Sequence, residues 1–219
     1  MPPRVVAWDF DGVLNRDVAD GRSLWAEGFE ARTGHPLAPF QVAIFGDGFA
    51  EVMTGRADLR DRVADWAARV GYAPGADALM ADWFARDVRP DPVTGALLDA
   101  LAAAGVRQVI ATNNDARRAR YIEAEMGYGA RVEAVFASGR MGVAKPDPRF
   151  FARIARDLDA APAEIVLIDD LAANVAAARR AGWRAVHLTE GARLALGAAL
   201  ARMGLPCAPG LPPVATCPR

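Results

Sequence analysis

The chain has 219 residues, of which 53% are hydrophobic and 24% charged, and this balance is typical of a folded globular protein with one sizeable core. Its net charge of -1 excludes the clustered basic excess expected of a nucleic-acid-binding protein or of one attracted to an anionic membrane. No uncharged apolar run reaches the roughly 18 residues that span a membrane, and no charged and then apolar leader opens the chain, so we expect a cytoplasmic protein with no membrane partner.

Five short apolar runs predict the strands of a parallel sheet. The first run, residues 5–8, stops at Asp9, and four others follow much later in the chain, at 109–111, 135–137, 165–168 and 185–188. Helical patterns separate these later runs, at 94–104, 116–126, 148–158 and 171–181. Strand and helix alternation at this spacing predicts an α/β fold, with a Rossmann-like parallel sheet of about five strands covered by helices on both faces.

A long segment without strands of that quality separates the first run from the others. Between residues 15 and 89 the patterns are helical, at 23–33, 39–45, 58–70 and 76–86. Three tryptophans on these helices are predicted to pack against one another, namely Trp25, Trp66 and Trp83. The sequence therefore predicts a small all-helical domain, residues 15–89, inserted into a core domain formed by residues 1–14 and 90–205.

The end of the chain differs in composition from the rest. Residues 206–219 are rich in proline and glycine and show no periodicity, so we predict an extended or disordered tail. Both cysteines, Cys207 and Cys217, lie in this tail, where they can neither staple the core nor form a metal cluster of thiolates. We expect free thiols, and the sequence indicates no role for them.

The predicted strands end in polar residues, and the carboxyl ends of parallel strands converge on one crevice. The first strand is followed by Asp9 and Asp11, whose two-residue spacing lets both carboxylates point to the same side of an extended chain. A second strand is followed by Thr112, Asn113 and Asn114. These residues can cap the next helix, or they can offer a hydroxyl and backbone N–H groups to a phosphate.

Two further sets of residues complete the predicted site. Lys145 is the only lysine beside 25 arginines, and it lies in a loop that leads into a predicted helix. Asp169 and Asp170 follow another strand, with Asn174 at the start of the next helix. Adjacent carboxylates repel each other unless a cation lies between them and Asp9, and Mg²⁺ prefers such oxygen ligands. We therefore expect a Mg²⁺ site beside an ammonium, which together accept a phosphate dianion.

In this order, the four sets resemble the haloacid dehalogenase superfamily, specifically its Mg²⁺-dependent phosphatase branch with a helical cap inserted after the first strand, a subfamily I-like arrangement. The resemblance covers about two thirds of the chain. It is carried by residues 9–13, 111–113, 145–148 and 168–170, together with Asn174. It implies a phosphatase that acts on a small phosphorylated metabolite, with the inserted segment as its cap.

The resemblance implies a role for each of the three acids nearest the reaction. Asp9 would be the nucleophile that attacks the phosphoryl group in line and becomes an aspartyl-phosphate. Asp11 would protonate the leaving alcohol and then activate the water that cleaves the aspartyl-phosphate. The carboxylates of Asp9 and Asp170, with the backbone carbonyl of Asp11, would hold Mg²⁺.

The remaining residues would support these three. Thr112 and the backbone N–H of Asn113 would hold phosphoryl oxygens, and Lys145 would bridge those oxygens to the nucleophile. Asp169 and Asn174 would act on the metal through water or through its direct ligands.

Other activities share parts of this pattern. A phosphohexomutase has all four motifs and differs in returning the phosphoryl group to a sugar. A haloacid dehalogenase lacks an acid at the position of Asp11 and needs no metal, so this aspartate argues against carbon–halogen cleavage. A non-catalytic phosphometabolite-binding protein or scaffold is disfavoured because no catalytic position is lost, and a receiver module of a signalling system is excluded by the order of the motifs.

The predicted cap would decide between a phosphatase and a mutase. Its candidate contacts near the site are Arg16, Asp17, Trp25 and the stretch 45–49, whose glycines indicate a turn. For each of them, a surface or packing role is at least as expected as a contact with the substrate. The sequence distinguishes neither the substrate nor a monomer from a homodimer.

Overall fold

The fold is built on a five-stranded parallel sheet. The computed structural model describes residues 2–19 and 22–206, so Cys207 and Cys217 of the predicted tail lie outside the described residues. The strands are, in chain order, β1 (Val5–Trp8), β2 (Val18–Ala19), β3 (Arg22–Ser23), β4 (Arg107–Thr112), β5 (Ala134–Ala137), β6 (Ile165–Asp169) and β7 (Arg184–His187). The main sheet has the order β5, β4, β1, β6, β7, with all neighbours parallel. The predicted parallel sheet is confirmed.

The helices connect these strands. In the described part of the chain they are α1 (Phe29–Thr33), α2 (Leu37–Phe45), α3 (Phe49–Met53), α4 (Leu59–Val70), α5 (Gly75–Arg86), α6 (Pro92–Ala103), α7 (Ala116–Ala124), α8 (Ser138–Met141), α9 (Pro148–Asp157), α10 (Ala172–Arg180) and α11 (Leu196–Arg202). Short 3₁₀ helices cover Leu24–Ala26, Tyr128–Ala130, Pro162–Glu164 and Glu190–Ala195. None of the described helices is both long and apolar enough to cross a membrane.

Aspartate and proline mark the start of helices α6 and α9. The Asp91 carboxylate accepts hydrogen bonds from the N–H groups of Val93 and Thr94, and the Asp147 carboxylate accepts one from Arg149. A proline follows each of these aspartates, where its missing N–H costs no hydrogen bond. The helix starts are therefore determined locally, and both lie close to the positions predicted from the sequence.

The sheet is covered on both faces because its central strands are apolar on both sides. Along β1, Val5 and Ala7 contact one core, which includes residues of α9 and α10. Val6 and Trp8 contact the opposite core, which includes residues of α6 and α11. All four side chains are fully buried. A strand buried on both faces reads as a continuous apolar run, which explains why the sequence predicts β1 correctly.

The segment between β1 and α6 forms a helical unit with its own apolar core. Trp25 and Trp66 are buried in this core, and Trp83 packs at its edge. The ring centroids of Trp25 and Trp83 lie 4.9 Å apart, as do those of Trp66 and Phe40. The predicted packing role of the three tryptophans is confirmed, since none of them is free to bind a ligand inside this cluster.

The prediction of an all-helical insertion needs correction in three places. A two-stranded antiparallel ribbon, β2 with β3, precedes the helices, and each strand is too short to show an alternating pattern. The single helix predicted at 23–33 is broken into a 3₁₀ turn and α1, because Gly28 has a φ of 62°. Helix α3 was not predicted, and it starts directly after the turn at 46–48 that the glycines of the stretch 45–49 indicate, where Gly48 has a φ of 81°.

Asn15 connects the two segments through which the chain leaves the core for the insertion and returns to it. This residue is fully buried. Its side-chain N–H donates to the Asp87 carbonyl and its side-chain oxygen accepts from the Arg89 N–H, each at 2.7 Å. Next to it, the Asp91 N–H donates to the Leu14 carbonyl at 2.9 Å. The chain thus leaves and re-enters the core at adjacent points, which agrees with the predicted extent of the inserted domain; that extent stays a prediction.

Candidate active site

The carboxylates predicted at two strand ends lie together at one edge of the sheet. β1 and β6 are neighbours, and the Asp9 N–H donates to the Ile168 carbonyl at 2.8 Å. Asp9 therefore lies beside Asp169 and Asp170. Each of the three residues offers a carboxylate oxygen, and these atoms all lie within 4.8 Å of one another. An arrangement of this kind could hold a metal ion.

Lys145 lies between two of these carboxylates. Its Nζ is 2.9 Å from Asp9 Oδ2 and 2.7 Å from Asp169 Oδ2, and its side chain is 1% exposed. Burial lowers the pKa of Lys145, but the charges of Asp9 and Asp169 together outweigh burial and bring this pKa above its usual value. The side chain is therefore an ammonium, and it is fully enclosed by protein.

The side chain of Asn113 fixes the backbone of Lys145. Its Nδ2 donates to the Lys145 carbonyl and its Oδ1 accepts from the Lys145 N–H, each at 2.8 Å. These two bonds fasten the loop before α9 to the end of β4. The resemblance to the family implied a role only for the backbone N–H of Asn113. The two residues are 32 positions apart, so no local pattern indicates the contact.

The site carries an excess of negative charge. Burial, with a further contribution from Asp169, raises the pKa of Asp9 well above its usual value, although Lys145 opposes this shift. Burial and the charge of Asp169 also raise the pKa of Asp170. Three carboxylates face one ammonium, and a divalent cation would compensate the remaining charge. Since the donors are all carboxylate oxygens, the residues fit a hard cation such as Mg²⁺.

The two adjacent aspartates, Asp169 and Asp170, differ in the number of hydrogen bonds that their carboxylates accept. The Asp169 carboxylate accepts hydrogen bonds from the Leu171 N–H at 2.9 Å and from Asn174 Nδ2 at 3.1 and 3.2 Å, in addition to the one from Lys145. The Asp170 carboxylate accepts a hydrogen bond from its own backbone N–H, and none from any other residue that the structure describes. Asp170 therefore has oxygens available for a ligand, whereas Asp169 and Asn174 hold neighbouring groups in place.

Asn114 orients the carboxylate of Asp11. Its Nδ2 lies 2.8 Å from Asp11 Oδ2 and also 2.8 Å from the hydroxyl oxygen of Thr112. Asn15 adds a longer contact of 3.4 Å to the other oxygen of Asp11. The sequence analysis included Asn114 in the polar run after β4 but gave it no individual role. That run was the available signal, and the structure joins it to the residues that follow β1.

The turn after Asp11 is held from both sides. Gly12 has a φ of 75°, and a Cβ atom there would lie 2.4 Å from Asp170 Oδ2, so only glycine lets the turn approach that carboxylate. The Gly12 N–H donates to Asp17 Oδ1 at 3.0 Å, and the Gly12 carbonyl accepts from Arg193 Nη2 at 2.5 Å. Arg193 lies 181 residues from Gly12 and outside all four motifs, so the sequence analysis missed it.

A cleft of about 540 Å³ opens over these residues. Its lining includes six of the predicted site residues: Asp9, Asp11, Thr112, Asn113, Asp170 and Asn174. The start of the insertion adds Arg16, Asp17 and Val18, and the segment after β7 adds Leu188, Thr189, Glu190 and Arg193. The volume lies within the range of small-molecule sites.

The lining distinguishes among the candidate cap contacts. Of the candidate cap contacts, Arg16 and Asp17 line the cleft, whereas Trp25 is buried in the core of the insertion and the stretch 45–49 contributes nothing to the described lining. Residues after β7, such as Glu190, form part of the lining instead. Beside the core residues, the described lining of the cleft comes from the start of the insertion and from the segment after β7, whereas the helices of the insertion contribute none of it.

Known proteins show similarity to this chain over most of its length. The family model for haloacid dehalogenase-like hydrolases matches residues 3–182. A phosphoglycolate phosphatase of Rhodospirillum rubrum is 27% identical over 203 residues, which cover 86% of this chain and 80% of the relative. The sesquiterpene phosphatase astK of Aspergillus oryzae is 34% identical over 104 residues, which cover 47% of this chain and 53% of the relative. This chain therefore matches about half the length of astK.

A solved structure shows the same fold. A haloacid dehalogenase family enzyme from Bacteroides thetaiotaomicron, in complex with magnesium and inorganic phosphate, superimposes with a TM-score of 0.68 at 20% sequence identity. The similarity covers 86% of this chain and 96% of that one. The sheet, the helices that cover it and the insertion after β1 therefore belong to an architecture known from experiment.

Proposed function

Because the chain belongs to the haloacid dehalogenase-like hydrolase family, we propose that it is a Mg²⁺-dependent phosphatase that hydrolyses a small phosphomonoester through an aspartyl-phosphate. The observation that carries this proposal is the position of Asp9, Asp11 and Asp170 around one cleft, with the ammonium of Lys145 buried behind them. The names of the relatives, a phosphoglycolate phosphatase and a sesquiterpene phosphatase, support phosphoester chemistry.

The metal would be held by the carboxylates of Asp9 and Asp170 and by the backbone carbonyl of Asp11. The Asp170 carboxylate, which no other described residue contacts by a hydrogen bond, and the negative excess of the site support this assignment. When bound, Mg²⁺ neutralises charge on the phosphoryl oxygens and on the carboxylates around them. In the proposal, Asp169 and Asn174 position Lys145 and the following helix and do not bind the metal directly.

Asp9 is the proposed nucleophile. Its Oδ2 lies 2.9 Å from Lys145 Nζ, and its Oδ1 accepts the Phe10 N–H at 2.8 Å. These contacts hold the carboxylate in one orientation before the substrate arrives, which is the main requirement for phosphoryl transfer. The phosphorus atom would bond to Asp9 while its bond to the alcohol oxygen breaks.

Asp11 is the proposed acid and base. The amide of Asn114 holds its carboxylate in the cleft, close to the hydroxyl of Thr112. Asp11 would give a proton to the leaving alcohol and later take one from the water that attacks the aspartyl-phosphate. Thr112, the Asn113 N–H and Lys145 would hold phosphoryl oxygens during both steps.

The proposal is tested by phosphate release from p-nitrophenyl phosphate and from a panel of small phosphomonoesters, with Mg²⁺ or with EDTA. We expect release with Mg²⁺ only. Asp9→Asn should abolish it and Asp11→Asn nearly abolish it with metabolite substrates, whereas Asp99→Asn on the exposed face of α6 should act like the wild type.

Three results would contradict the proposal. Binding of phosphometabolites without release of phosphate would favour a scaffold. Full activity of Asp9→Asn would exclude the covalent mechanism. A sugar phosphate that is isomerised faster than it is hydrolysed would favour a phosphohexomutase.

A further inference from the structure

Two arginines line the cleft among the described residues, and one of them is held on all sides. Arg193 is buried, and each of its three guanidinium nitrogens has a partner. Its Nε donates to Glu190 Oε2 at 2.9 Å, Nη1 to Asp91 Oδ2 at 3.0 Å and Nη2 to the Gly12 carbonyl at 2.5 Å. Moving this side chain would leave the buried Asp91 carboxylate without its hydrogen-bonded cation, so Arg193 is a fixed part of the site.

Arg16 is held far less tightly. Its side chain is 38% exposed, and its one hydrogen bond to a described side chain runs from Nη2 to Glu190 Oε1 at 2.5 Å. Its Nε forms an ion pair with Asp91 Oδ2 at 3.9 Å, a distance too long for a hydrogen bond, so this nitrogen keeps its donor. The guanidinium therefore has donors to spare at the mouth of the cleft. Its backbone, by contrast, is anchored, because the Arg16 N–H donates to the Arg89 carbonyl at 2.8 Å.

Glu190 can release Arg16 without losing its ionic partner. Its two carboxylate oxygens are divided between the arginines, Oε1 with Arg16 and Oε2 with Arg193. The Glu190 side chain is 67% exposed, so water can replace Arg16 at Oε1. Exposed ion pairs of this kind contribute little to stability. The contact between Arg16 and Glu190 is thus an exchangeable pair at the entrance of the site.

We propose that Arg16 determines substrate specificity by exchanging Glu190 for a carboxylate on the substrate, so that the preferred substrates are phosphomonoesters of small hydroxy acids. This inference rests on the proposed phosphatase function. A guanidinium binds a carboxylate through two parallel hydrogen bonds, which a neutral group cannot form. The phosphoryl group would lie at Asp9 and Lys145, and the second anion would lie at Arg16.

Other residues of the same cleft could bind other classes of substrate, and these classes are the alternatives that the test must distinguish. Asp17 could attract a cationic leaving group, although one of its oxygens already accepts the Gly12 N–H and burial raises its pKa to about 6. Val18 and Leu171 are exposed apolar residues of the lining and could contact a hydrocarbon chain. Arg16 is favoured because it combines full charge, free donors and an anchored backbone.

The test compares substrates that differ only in the second anion. The first pair is phosphoglycolate and ethyl phosphate, and the second is 3-phosphoglycerate and glycerol 3-phosphate. With Mg²⁺, we expect kcat/KM of the wild type to be about tenfold or more higher for the carboxylated member of each pair, since a charge-assisted hydrogen bond contributes about that factor. Phosphoethanolamine and a sesquiterpene monophosphate represent the competing classes, and p-nitrophenyl phosphate reports phosphatase activity by itself.

Two variants assign the preference to its residue. Arg16→Gln should raise KM for the carboxylated substrates about tenfold, with little change in kcat and with the neutral partners hydrolysed as in the wild type. Arg60→Gln is the matched control, because Arg60 is 40% exposed and pairs with an aspartate that is 73% exposed, on the surface of the insertion. Arg60→Gln should leave kcat/KM unchanged for both members of each substrate pair. Thermal unfolding of Arg16→Gln should match that of the control.

Four results would overturn the inference. The first is an equal kcat/KM of the wild type for the two members of each pair, and the second is an equal decrease of kcat/KM for both members in Arg16→Gln. The third and fourth are a higher kcat/KM for phosphoethanolamine and a higher kcat/KM for the sesquiterpene monophosphate. In each of these cases phosphate is still released and the proposed function stands. If neither these substrates nor p-nitrophenyl phosphate is hydrolysed, the proposed function fails and the inference fails with it.

Discussion

Lys145 is held at both ends. Its Nζ contacts the carboxylates of Asp9 and Asp169, and its backbone is fastened by the amide of Asn113. In the proposed mechanism, a side chain fixed in this way would contact a phosphoryl oxygen at one position only. The compact ammonium also fits between two buried carboxylates, where a planar guanidinium has a different shape and different hydrogen-bond directions. This explains why the one lysine of the chain is found here among 25 arginines.

We expect Lys145→Arg to lower kcat at least tenfold, a loss of about 1.4 kcal/mol of transition-state stabilisation. The charge is kept, but the bulkier fork displaces the phosphoryl group from Asp9. The measurement is the rate of p-nitrophenyl phosphate hydrolysis with Mg²⁺. Arg149→Lys serves as the control, because Arg149 is an exposed arginine paired with Asp147. Near wild-type kcat in Lys145→Arg would show that the ammonium has no specific role.

At the scale of elements, the end of α5 connects the insertion to the core. Asp87 follows this helix, and its carbonyl accepts hydrogen bonds from Asn15 and from the buried Arg118. The Asp87 side chain faces Arg118 at 3.3 Å, but its Oδ1 is buried and has no partner among the described residues. Burial, together with the charges of Asp11 and Asp17, raises the pKa of Asp87 to about 7, although Arg118 opposes this shift.

This raised pKa predicts a pH dependence of stability. In the unfolded chain Asp87 ionises near pH 3.8, whereas in the folded protein it keeps its proton until about pH 7. The folded state therefore binds more protons between these values, and the free energy of unfolding falls as the pH rises through this window. Asp87→Asn lacks this contribution. Between pH 5 and pH 7.5, we expect the wild type to lose about 2 kcal/mol more stability than Asp87→Asn.

Urea unfolding of both proteins at the two pH values measures this difference. The other titrating groups are common to both proteins, so their contributions cancel in the comparison. Identical changes in the free energy of unfolding would mean that the Asp87 carboxyl ionises in the folded protein as it does in the unfolded chain.

At the scale of the whole molecule, the sheet and the residues at its edge follow from the sequence. Each central strand is an apolar run that stops at a polar residue, and parallel strands bring these ends together. The strand ends therefore predict that Asp9, Thr112 and Asp169 share one site, whereas Lys145 lies in the loop between α8 and α9 and its place in the site is predicted from the resemblance to the family. The positions of helices α6 and α9 also follow locally, from the aspartate and proline at their first turns.

The contacts that refine the site do not follow from the sequence, because they join residues that are far apart in the chain. Arg193 reaches Gly12 across 181 residues, and Asn113 reaches Lys145 across 32. Neither contact has a local pattern, and each depends on how separate elements pack. The lining of the cleft is a second example, since its wall at Glu190 comes from a segment that carries none of the four motifs.

The proposed mechanism depends on Asp9 as the acceptor of the phosphoryl group. The most direct measurement is acid quench of Asp11→Asn during turnover of p-nitrophenyl phosphate, followed by peptide mass spectrometry. The leaving p-nitrophenolate needs no proton from Asp11, whereas hydrolysis of the aspartyl-phosphate needs Asp11 as a base, so the intermediate should accumulate. We predict a phosphoryl group on the peptide that contains Asp9, and none when Asp9→Asn is added. Release of p-nitrophenol with no phosphorylated peptide, or with the phosphoryl group on another residue, would contradict the claim.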